Sequence, residues 1–537
     1  MIKHAGFDNF RKYVHLDPLK LKGVNFLVGE NNSGKSTFTK GILLLSYFLD
    51  RGNSIDILET EKDEKGQTVS TPDLPSVSFS DERLKNVYIN TFYQALSSQS
   101  TNGVIKFNCR LDEFDVLVSL YEPNAFGGSS VYKRVSSLYM QENCNVEDPE
   151  DISDIVYPQI RENNPDYYKK SLSEKEASIL KIKILDYKRG VLFCIATGEL
   201  AGTSIYAFEP DFIKQIVDLE TQMDGKNTTS IEYAQLSAQR DELYEKLLKD
   251  IEDQKNKVTD KSSCWGGMLS YNPKEPRMFR DLATSAKADA EKRNDEEALK
   301  RAETALSSYD ALCAALDSFN LEYIYAHSVH QLSGYKCNSS DYVDQTISRY
   351  WNMKNSQTDE FVCDKMRDFK IGEDFKIYPK GKNLKVEILD NSRWQDLSSK
   401  GIGAIQMFLL ILRIAIIIGD KEKCSNTTII VEEPEQNLHP ALQSQLADFF
   451  YSINVEYGCQ FIVETHSEYL VRKTQVIVGR IYSSGNLGEN PFNVIYFPKE
   501  GAPYKINYLK DGQFREDFGR GFYDESSALY FDLIKGI

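Results

Sequence analysis

The chain lacks an apolar leader: residues 1–17 hold no hydrophobic run that would serve as a secretory signal. It also lacks a run suited to a bilayer. The longest, 404–418, is short for a span and is interrupted by Gln406 and Arg413, so it reads as a core helix. Paired cysteines are missing too. Nine cysteines are scattered singly, no C-x-x-C occurs, and an odd number cannot complete a disulfide set, so reduced and mostly buried thiols are expected. Positive charge is in deficit. With 64 Lys and Arg against 80 Asp and Glu, the net charge of −16 disfavours non-specific coating of a polyanion, while leaving room for a local basic groove. No internal repeat stands out. What remains is a globular chain of 537 residues, 41% hydrophobic, long enough for two or three domains and expected to be soluble and cytoplasmic.

Against that background one segment is rich in chemistry. Gly29-Glu30-Asn31-Asn32-Ser33-Gly34-Lys35-Ser36-Thr37 fits G-x-x-x-x-G-K-[ST]. A buried strand is expected before it, over 24–28, and an apolar helix after it, over 37–49. That context lets backbone N–H groups of Asn31, Asn32, Ser33, Gly34 and Thr37 turn inward around phosphate oxygens. Lys35 reaches the β- and γ-phosphates, and the Ser36 hydroxyl ligates Mg²⁺. The pattern points to ATP with Mg²⁺.

Three sections follow from composition: 1–210 mixes short strands and loops around this motif, 211–318 is charged and helical, and 319–537 returns to alternating strands and helices. In the middle section Leu299, Ala302, Leu306, Tyr309, Cys313 and Leu316 keep a 3-4-3-4-3 spacing, a heptad seam. Leu236, Leu243, Leu247 and Ile251 line a second stripe, and the Gly-, Ser- and Pro-containing 262–276 breaks the helix between them. The expectation is an inserted antiparallel helical hairpin with arms of roughly 40–50 Å at 1.5 Å per residue. A helical subdomain folded onto the body is the alternative. Cys264, Trp265 and Phe279 near the break would suit a docking tip. Residues 59–70 read as a polar loop, and the acids between 147 and 154 as a solvated face.

The 319–537 section supplies the other half of an ATP site. Five β-prone residues, 427–431, run into Glu432 and Glu433. Adjacent side chains diverge, so Glu432 can serve the Mg²⁺ shell and Glu433 the attacking water. A second apolar strand from Gln460 ends in Thr465-His466-Ser467, where His466 can meet a γ-phosphate. Ser399 and Gly401 open the helix over 404–418, an anion-binding arrangement at a helix N-terminus.

Together these motifs resemble ABC-type ATPases of the chromosome-maintenance and RecF branch, and more narrowly the OLD (overcoming lysogenization defect) group. Asn9-Phe10-Arg11 is similar to that group's N-terminal start, Glu432-Glu433-Pro434-Glu435-Gln436-Asn437-Leu438-His439-Pro440 to its E-x-P-E-x-x-L-H-P segment, and Glu464-Thr465-His466-Ser467-Glu468 to its E-T-H-S-E switch. Gly521-Phe522-Tyr523-Asp524-Glu525 is similar to a tail of one bacterial subgroup, which includes the ATPase subunits of Septu (PtuA-like) and retron-associated antiphage systems. The resemblance implies an α/β, ABC-type P-loop ATPase. Arg11 would join the nucleotide site, and ATP would be closed over by Ser399 and Gly401 of another copy, at least in a homodimer. Three departures stand out: Ser399-Lys400-Gly401 where the signature is S-G-G, Glu432 where Asp is common, and Ala326-His327-Ser328-Val329-His330 in place of G-P-x-R. Gln94 is the candidate Q-loop residue.

OLD nucleases carry a Toprim domain after the ATPase, whereas only about seventy residues follow His466 here. A partner nuclease of HNH type is therefore expected to do any cutting, with a retron reverse transcriptase and its nucleic acid as a further partner in retron-associated versions. DNA is a candidate ligand of Arg367, Lys370, Lys376, Lys380 and Lys382, which have Phe375 and Tyr378 among them. An edge protected by lysines is the other reading. The expected role is a defence switch that binds and hydrolyses ATP and controls a nuclease. A RecF-like repair ATPase and a low-turnover ATP-binding scaffold are the alternatives. No membrane role is expected.

Overall fold

The computed structural model of the chain describes residues 1–49, 61–62, 68–69, 76–79, 89–100, 104–121, 176–186, 188–196, 202–207, 278–324, 334–337, 341–420, 424–484, 490–519 and 525–535, with isolated positions among 215–246 and at 339 and 522. They divide into two compact units that interleave along the chain. Unit 1 is Met1, Leu21–Thr39 and Ser318–Ile537, and unit 2 is Ile2–Lys20 and Lys40–Asp317.

Unit 2 is built on an antiparallel sheet. Its order is β11 (Gly202–Ala207), β10 (Val191–Ala196), β9 (Glu176–Asp186), β8 (Phe114–Tyr121), β7 (Val104–Leu111), β1 (Ile2–Phe10) and β2 (Tyr13–Lys20), with β6 (Ser76–Ser78) paired to β9. β7 shows the cause: Ile105, Phe107, Cys109 and Leu111 are buried, while Lys106 and Asn108 alternate with them and face water. Phe7, Phe10 and Phe107 close the core with ring centroids 5.4–5.6 Å apart. Residues 59–70, expected as a loop, carry a short antiparallel pair, β4 (Glu61–Lys62) with β5 (Thr68–Val69). Gln94 lies in the single turn α2 (Phe92–Ala95; α1 follows below), where its side chain accepts a hydrogen bond from Asn90 N at 2.8 Å.

A helical hairpin occupies the end of the middle section, and its turn lies at 294–295. α3 (Met278–Arg293) and α4 (Glu296–Ser318) are joined by Asn294, in the left-handed region with φ 53°, and by Asp295, whose carboxylate accepts from Ala298 N. Lys287 and Glu303 pair across the helices at 3.0 Å. The stripe buried on α4 is Ala302, Ala305, Tyr309, Leu312 and Leu316, so Ala305 and Leu312 replace Leu306 and Cys313 of the expected seam. Ser308 is also buried and donates to Asp186, at the end of β9, which ties α4 to the sheet. The expected break at 262–276, with Cys264 and Trp265, lies outside the described residues, as do His327 and His330; Phe279 falls within α3.

Unit 1 carries the parallel sheet. Its order is β12 (Asn320–Ile324), β17 (Thr427–Glu432), β18 (Gln460–Glu464), β3 (Val24–Gly29) and β19 (Phe492–Phe497), with β20 (Tyr504–Ile506) antiparallel at the edge. β3, β18 and β19 are buried along their whole length, as strands covered on both faces must be. α1 (Lys35–Leu49) leaves β3 through the P-loop. A small antiparallel sheet of β13 (Tyr335–Lys336), β14 (Asp374–Lys380), β15 (Asn383–Asp390) and β16 (Arg393–Asp396) leads into α7 (Ile402–Gly419), after α5 (Tyr342–Met353) and α6 (Ser356–Asp368). α7 is the one helix among the described residues long and apolar enough to cross a membrane, and most of it is buried in this unit's core, as a core helix should be. α8 (Pro440–Tyr457) starts with His439 as N-cap and Pro440 in its first turn and ends at Gly458 in the left-handed conformation. α9 (Glu468–Ser483) and α10 (Glu525–Lys535) complete the chain. The α/β class expected from sequence is the class observed.

Candidate active site

The C-terminal ends of β17, β18 and β3 lie side by side, and each ends in a residue with chemistry. Gly29 closes β3 with φ 141°, and a Cβ there would stand 2.1 Å from Phe497 O, so only glycine fits. The chain then turns through Asn31 and Asn32, both exposed, and Ser33 and Gly34, both buried. Lys35 is folded back over this loop: its ammonium donates to Gly29 O at 2.9 Å and Glu30 O at 2.8 Å. Burial lowers the Lys35 pKa, opposed by Glu464, Glu433 and Glu435.

Ser36 is exposed, and its hydroxyl donates to Glu464 Oε2 at 2.8 Å. Thr39, one turn on, donates to the other oxygen of the same carboxylate. Glu464 is the last residue of β18 and only 3% exposed. Burial, with Glu432 beside it, pushes its carboxyl up to about 7, against the hydrogen bonds from Thr39 and Ser36 and the charge of Lys35. Glu432 sits opposite Glu464 in the β17–β18 register and accepts a hydrogen bond from the Tyr323 hydroxyl on β12.

Glu433 follows with φ 40°, a left-handed backbone that costs a non-glycine residue of order 1–3 kcal/mol and recurs at functional sites. Its N–H donates to Glu464 O at 2.8 Å. Its carboxylate accepts a hydrogen bond from Gln436 Nε2 and lies 3.8 Å from His466 Nε2. His466 is half-buried, which lowers its pKa; Lys35 acts the same way and Glu433 opposes. Glu435 is buried, and its carboxylate accepts from His466 N at 2.6 Å, which fixes where the imidazole starts. Ser467 caps α9 and donates to Gln443.

Ser399 and Gly401 sit apart from this cluster: no hydrogen bond among the described residues joins either to the P-loop. The Ser399 hydroxyl donates to Asp396 O at 2.6 Å, and Lys400 pairs with Asp390. Gly401, Ile402 and Ser399 are exposed, and a Cβ on Gly401 would meet nothing within 4 Å. Gly403 is the opposite case, since its Cβ would stand 2.2 Å from Asn437 O. The Asn437 side chain also donates to Gln406 at 2.9 Å. Arg11 belongs to unit 2, in the β1–β2 turn at φ 49°, where its N–H donates to Ala95 O at 2.7 Å.

The geometry thus joins Lys35, Ser36, Glu432, Glu433 and His466. It adds Thr39, Glu435, Gln436, Tyr323 and Glu464, which sequence reasoning gave no role. Glu435, Gln436 and Glu464 lie within the quoted motif segments, and Glu464 also shows as a carboxylate closing an otherwise apolar strand, whereas Thr39 and Tyr323 left no signal. Two lysines of the basic β14–β15 pair are answered by an acid of the same sheet. Lys376 and Lys385 both hold Glu387, at 2.7 and 2.6 Å, which keeps that carboxyl down at about 2, and Lys376 stacks over Trp394 at 4.2 Å. Lys365 and Arg367 pair with Asp368 and Asp364.

Comparison with protein families matches residues 1–471 to the AAA ATPase domain, AAA_15. No curated protein matches. Among solved structures the chain is similar to the Smc head domain with extended coiled coil from Pyrococcus furiosus, bound to the C-terminal domain of ScpA, at 10% identity over 99% of both chains and a TM-score of 0.33. It is similar to the Smc head domain from Pyrococcus yayanosii at 11% identity over 95% of this chain and 98% of that one, TM-score 0.34. The corresponding values for the SMC head domain from Thermotoga maritima are 10%, 94%, 99% and 0.31. Similarity at this level says nothing of substrate or partner. The family match spans most of the chain and includes the P-loop, both acidic strand ends and the histidine: the chain belongs to the AAA ATPase domain family, with the α/β P-loop fold described above.

Proposed function

We propose that the chain is a Mg²⁺-dependent ATP hydrolase that works as a two-state switch, its sites completed between two copies. Asn31, Asn32, Ser33, Gly34, Lys35, Ser36 and Thr37 hold the triphosphate, and Lys35 leaves its two carbonyl partners to do so. Ser36 and Glu432 serve the cation, which when bound neutralises charge between the β- and γ-phosphates. Glu433 accepts a proton from the attacking water, and His466 hydrogen-bonds the γ-phosphate. Arg11 contributes from its hairpin. Ser399 and Gly401 of a second copy close the site.

The observation that carries the two-copy reading is Gly401. It is the exposed N-cap of α7, and among the described residues nothing lies within 4 Å of a Cβ placed there, so this helix N-terminus is open to an incoming phosphate. The test uses Glu433→Gln, which should bind ATP and slow hydrolysis by roughly two to four orders of magnitude. With ATP and Mg²⁺ its mass by light scattering should double. Adding Gly401→Arg should keep ATP binding but leave the monomer mass. A dimer of unchanged stability in the double variant would sink the reading.

For the biological role, the E-x-P-E-x-x-L-H-P and E-T-H-S-E resemblances support a cytoplasmic antiphage subunit that controls a partner nuclease. In that reading 211–318 is a helical insertion between the ATPase halves 1–210 and 319–537. Plaque counts on cells carrying the gene with its neighbours test this: Lys35→Ala should remove protection, and full protection by that variant would refute it.

A further inference from the structure

We propose that Glu464 is a carboxylate of the metal shell, the one that serves Ser36. The inference rests on the ATP-site reading above and names a residue that reading does not use. A hydroxyl that ligates a cation offers the metal a lone pair, so its proton must go to an acceptor. The acceptor of the Ser36 proton is Glu464, at 2.8 Å. β18 lies between β17 and β3 in the sheet, so the carboxylate at its end is one strand from the P-loop, whereas Glu432 is two strands away. Glu432 also faces the other way in part, taking the Tyr323 hydroxyl from β12. Thr39 grips the second oxygen of Glu464, which fixes the carboxylate plane beneath Ser36. Two carboxylates in register at the ends of adjacent strands repel each other, and a divalent cation relieves that repulsion. Mg²⁺ is commonly held by one or two carboxylates together with substrate phosphates and water. Here the pair would be Glu464 and Glu432.

The competing account is that Glu464 only anchors the start of α1 through Ser36 and Thr39. The experiment separates the two by measuring affinity for a fluorescent ATP analogue in Mg²⁺ and in EDTA, with Mn²⁺ uptake in the presence of ATP followed by electron paramagnetic resonance. Wild type should bind the analogue more tightly with metal. Glu464→Gln keeps the length and one hydrogen-bond acceptor but loses the charge. It should bind in EDTA as wild type does, lose about tenfold or more of the metal-dependent gain, and take up Mn²⁺ weakly. Glu464→Asp, which keeps the charge, and Thr39→Val, which removes one anchor and keeps the carboxylate, should retain most of the gain. A full metal-dependent gain in Glu464→Gln overturns the proposal. So does loss of its binding in EDTA, which would make Glu464 an anchor, and so does loss of the gain in both charge-retaining variants. If wild type fails to bind the analogue, or Lys35→Ala binds it equally well, the ATP-site reading itself has failed.

Discussion

Two glycines two residues apart in the same helix start should respond unequally to alanine. At Gly403 a Cβ would stand 2.2 Å from Asn437 O and 3.0 Å from its carbonyl carbon, both backbone atoms that cannot rotate away. Relief needs a shift of about 1 Å in either the start of α7 or the 433–439 loop. Overpacking of this kind costs about 3 kcal/mol at its upper range. Alanine in a helix returns about 1 kcal/mol over glycine, leaving a net loss near 2 kcal/mol. For a domain of roughly 200 residues that lowers the melting midpoint by about 4–8 °C. At Gly401 the added methyl meets nothing within 4 Å, and the cost is the roughly 0.5–1 kcal/mol by which alanine is worse than glycine at an N-cap. Differential scanning fluorimetry of the two variants reads this directly. Activity should separate them too: the Gly403→Ala shift moves Asn437, next to the Gln436 that holds Glu433, so turnover should fall about tenfold or more while ATP affinity changes little. Equal midpoints for the two variants, or a Gly403→Ala enzyme with wild-type turnover, would refute the reasoning.

Lys35→Ala should abolish nucleotide binding, measured by equilibrium titration, because the charge that offsets the β,γ-phosphates is gone. Near-normal affinity would dismiss the P-loop assignment. In unit 2, Asp186 is fully buried and accepts from Lys188 N, Arg189 N, the Arg189 guanidinium and Ser308. Asp186→Ala should cost about 3–5 kcal/mol in denaturant unfolding, by stranding those donors, against about 1 kcal/mol for Ser308→Ala; equal costs would mean that the network does not hold α4. Native labelling by iodoacetamide at pH 8 should modify the exposed Cys337 first and spare Cys109, Cys424 and Cys459, which are buried; burial pushes the Cys459 thiol up to about 12. Rapid modification of Cys459 in folded protein would show that the base of the parallel sheet opens.

What the sequence made legible was local. The P-loop, the paired Glu432 and Glu433, and His466 each declare themselves within a few residues, because a strand, a tight loop and a helix start are short-range features. The strand order that makes them one site was not legible, since β3 and β18 are more than four hundred residues apart and their pairing leaves no local trace. The difference in the buried stripe of α4 has another cause. Leu306 and Cys313 fit the heptad spacing as large side chains. The observed stripe instead uses Ala305, with the buried Ser308 beside it, small residues that allow a close approach to neighbouring backbone. α3 offered no pattern at all, because its 283–293 stretch is alanine and charge with scarcely a large apolar side chain.

The same limit explains why half of the candidate site was missed. Glu433 is a carboxylate in a motif, but its usefulness depends on where its oxygens point, and that is decided by contacts within and between the two motif segments, which neither pattern states by itself. Gln436 holds one oxygen, His466 stands near the other, Glu435 holds the backbone of His466, and Glu433's own N–H is fixed to Glu464 O. Asn437, again in the left-handed region at φ 60°, brings its carbonyl over Gly403 and its amide to Gln406. Glu433 and the start of α7 are therefore successive links of one short chain of contacts. If Ser399 and Gly401 close on ATP held by a second copy, a displacement of that helix start reaches Glu433 of its own site through Asn437 and Gln436. Two sites joined in this way would not fire independently, and the coupling needs no wider rearrangement than the shift of about 1 Å that Gly403→Ala imposes.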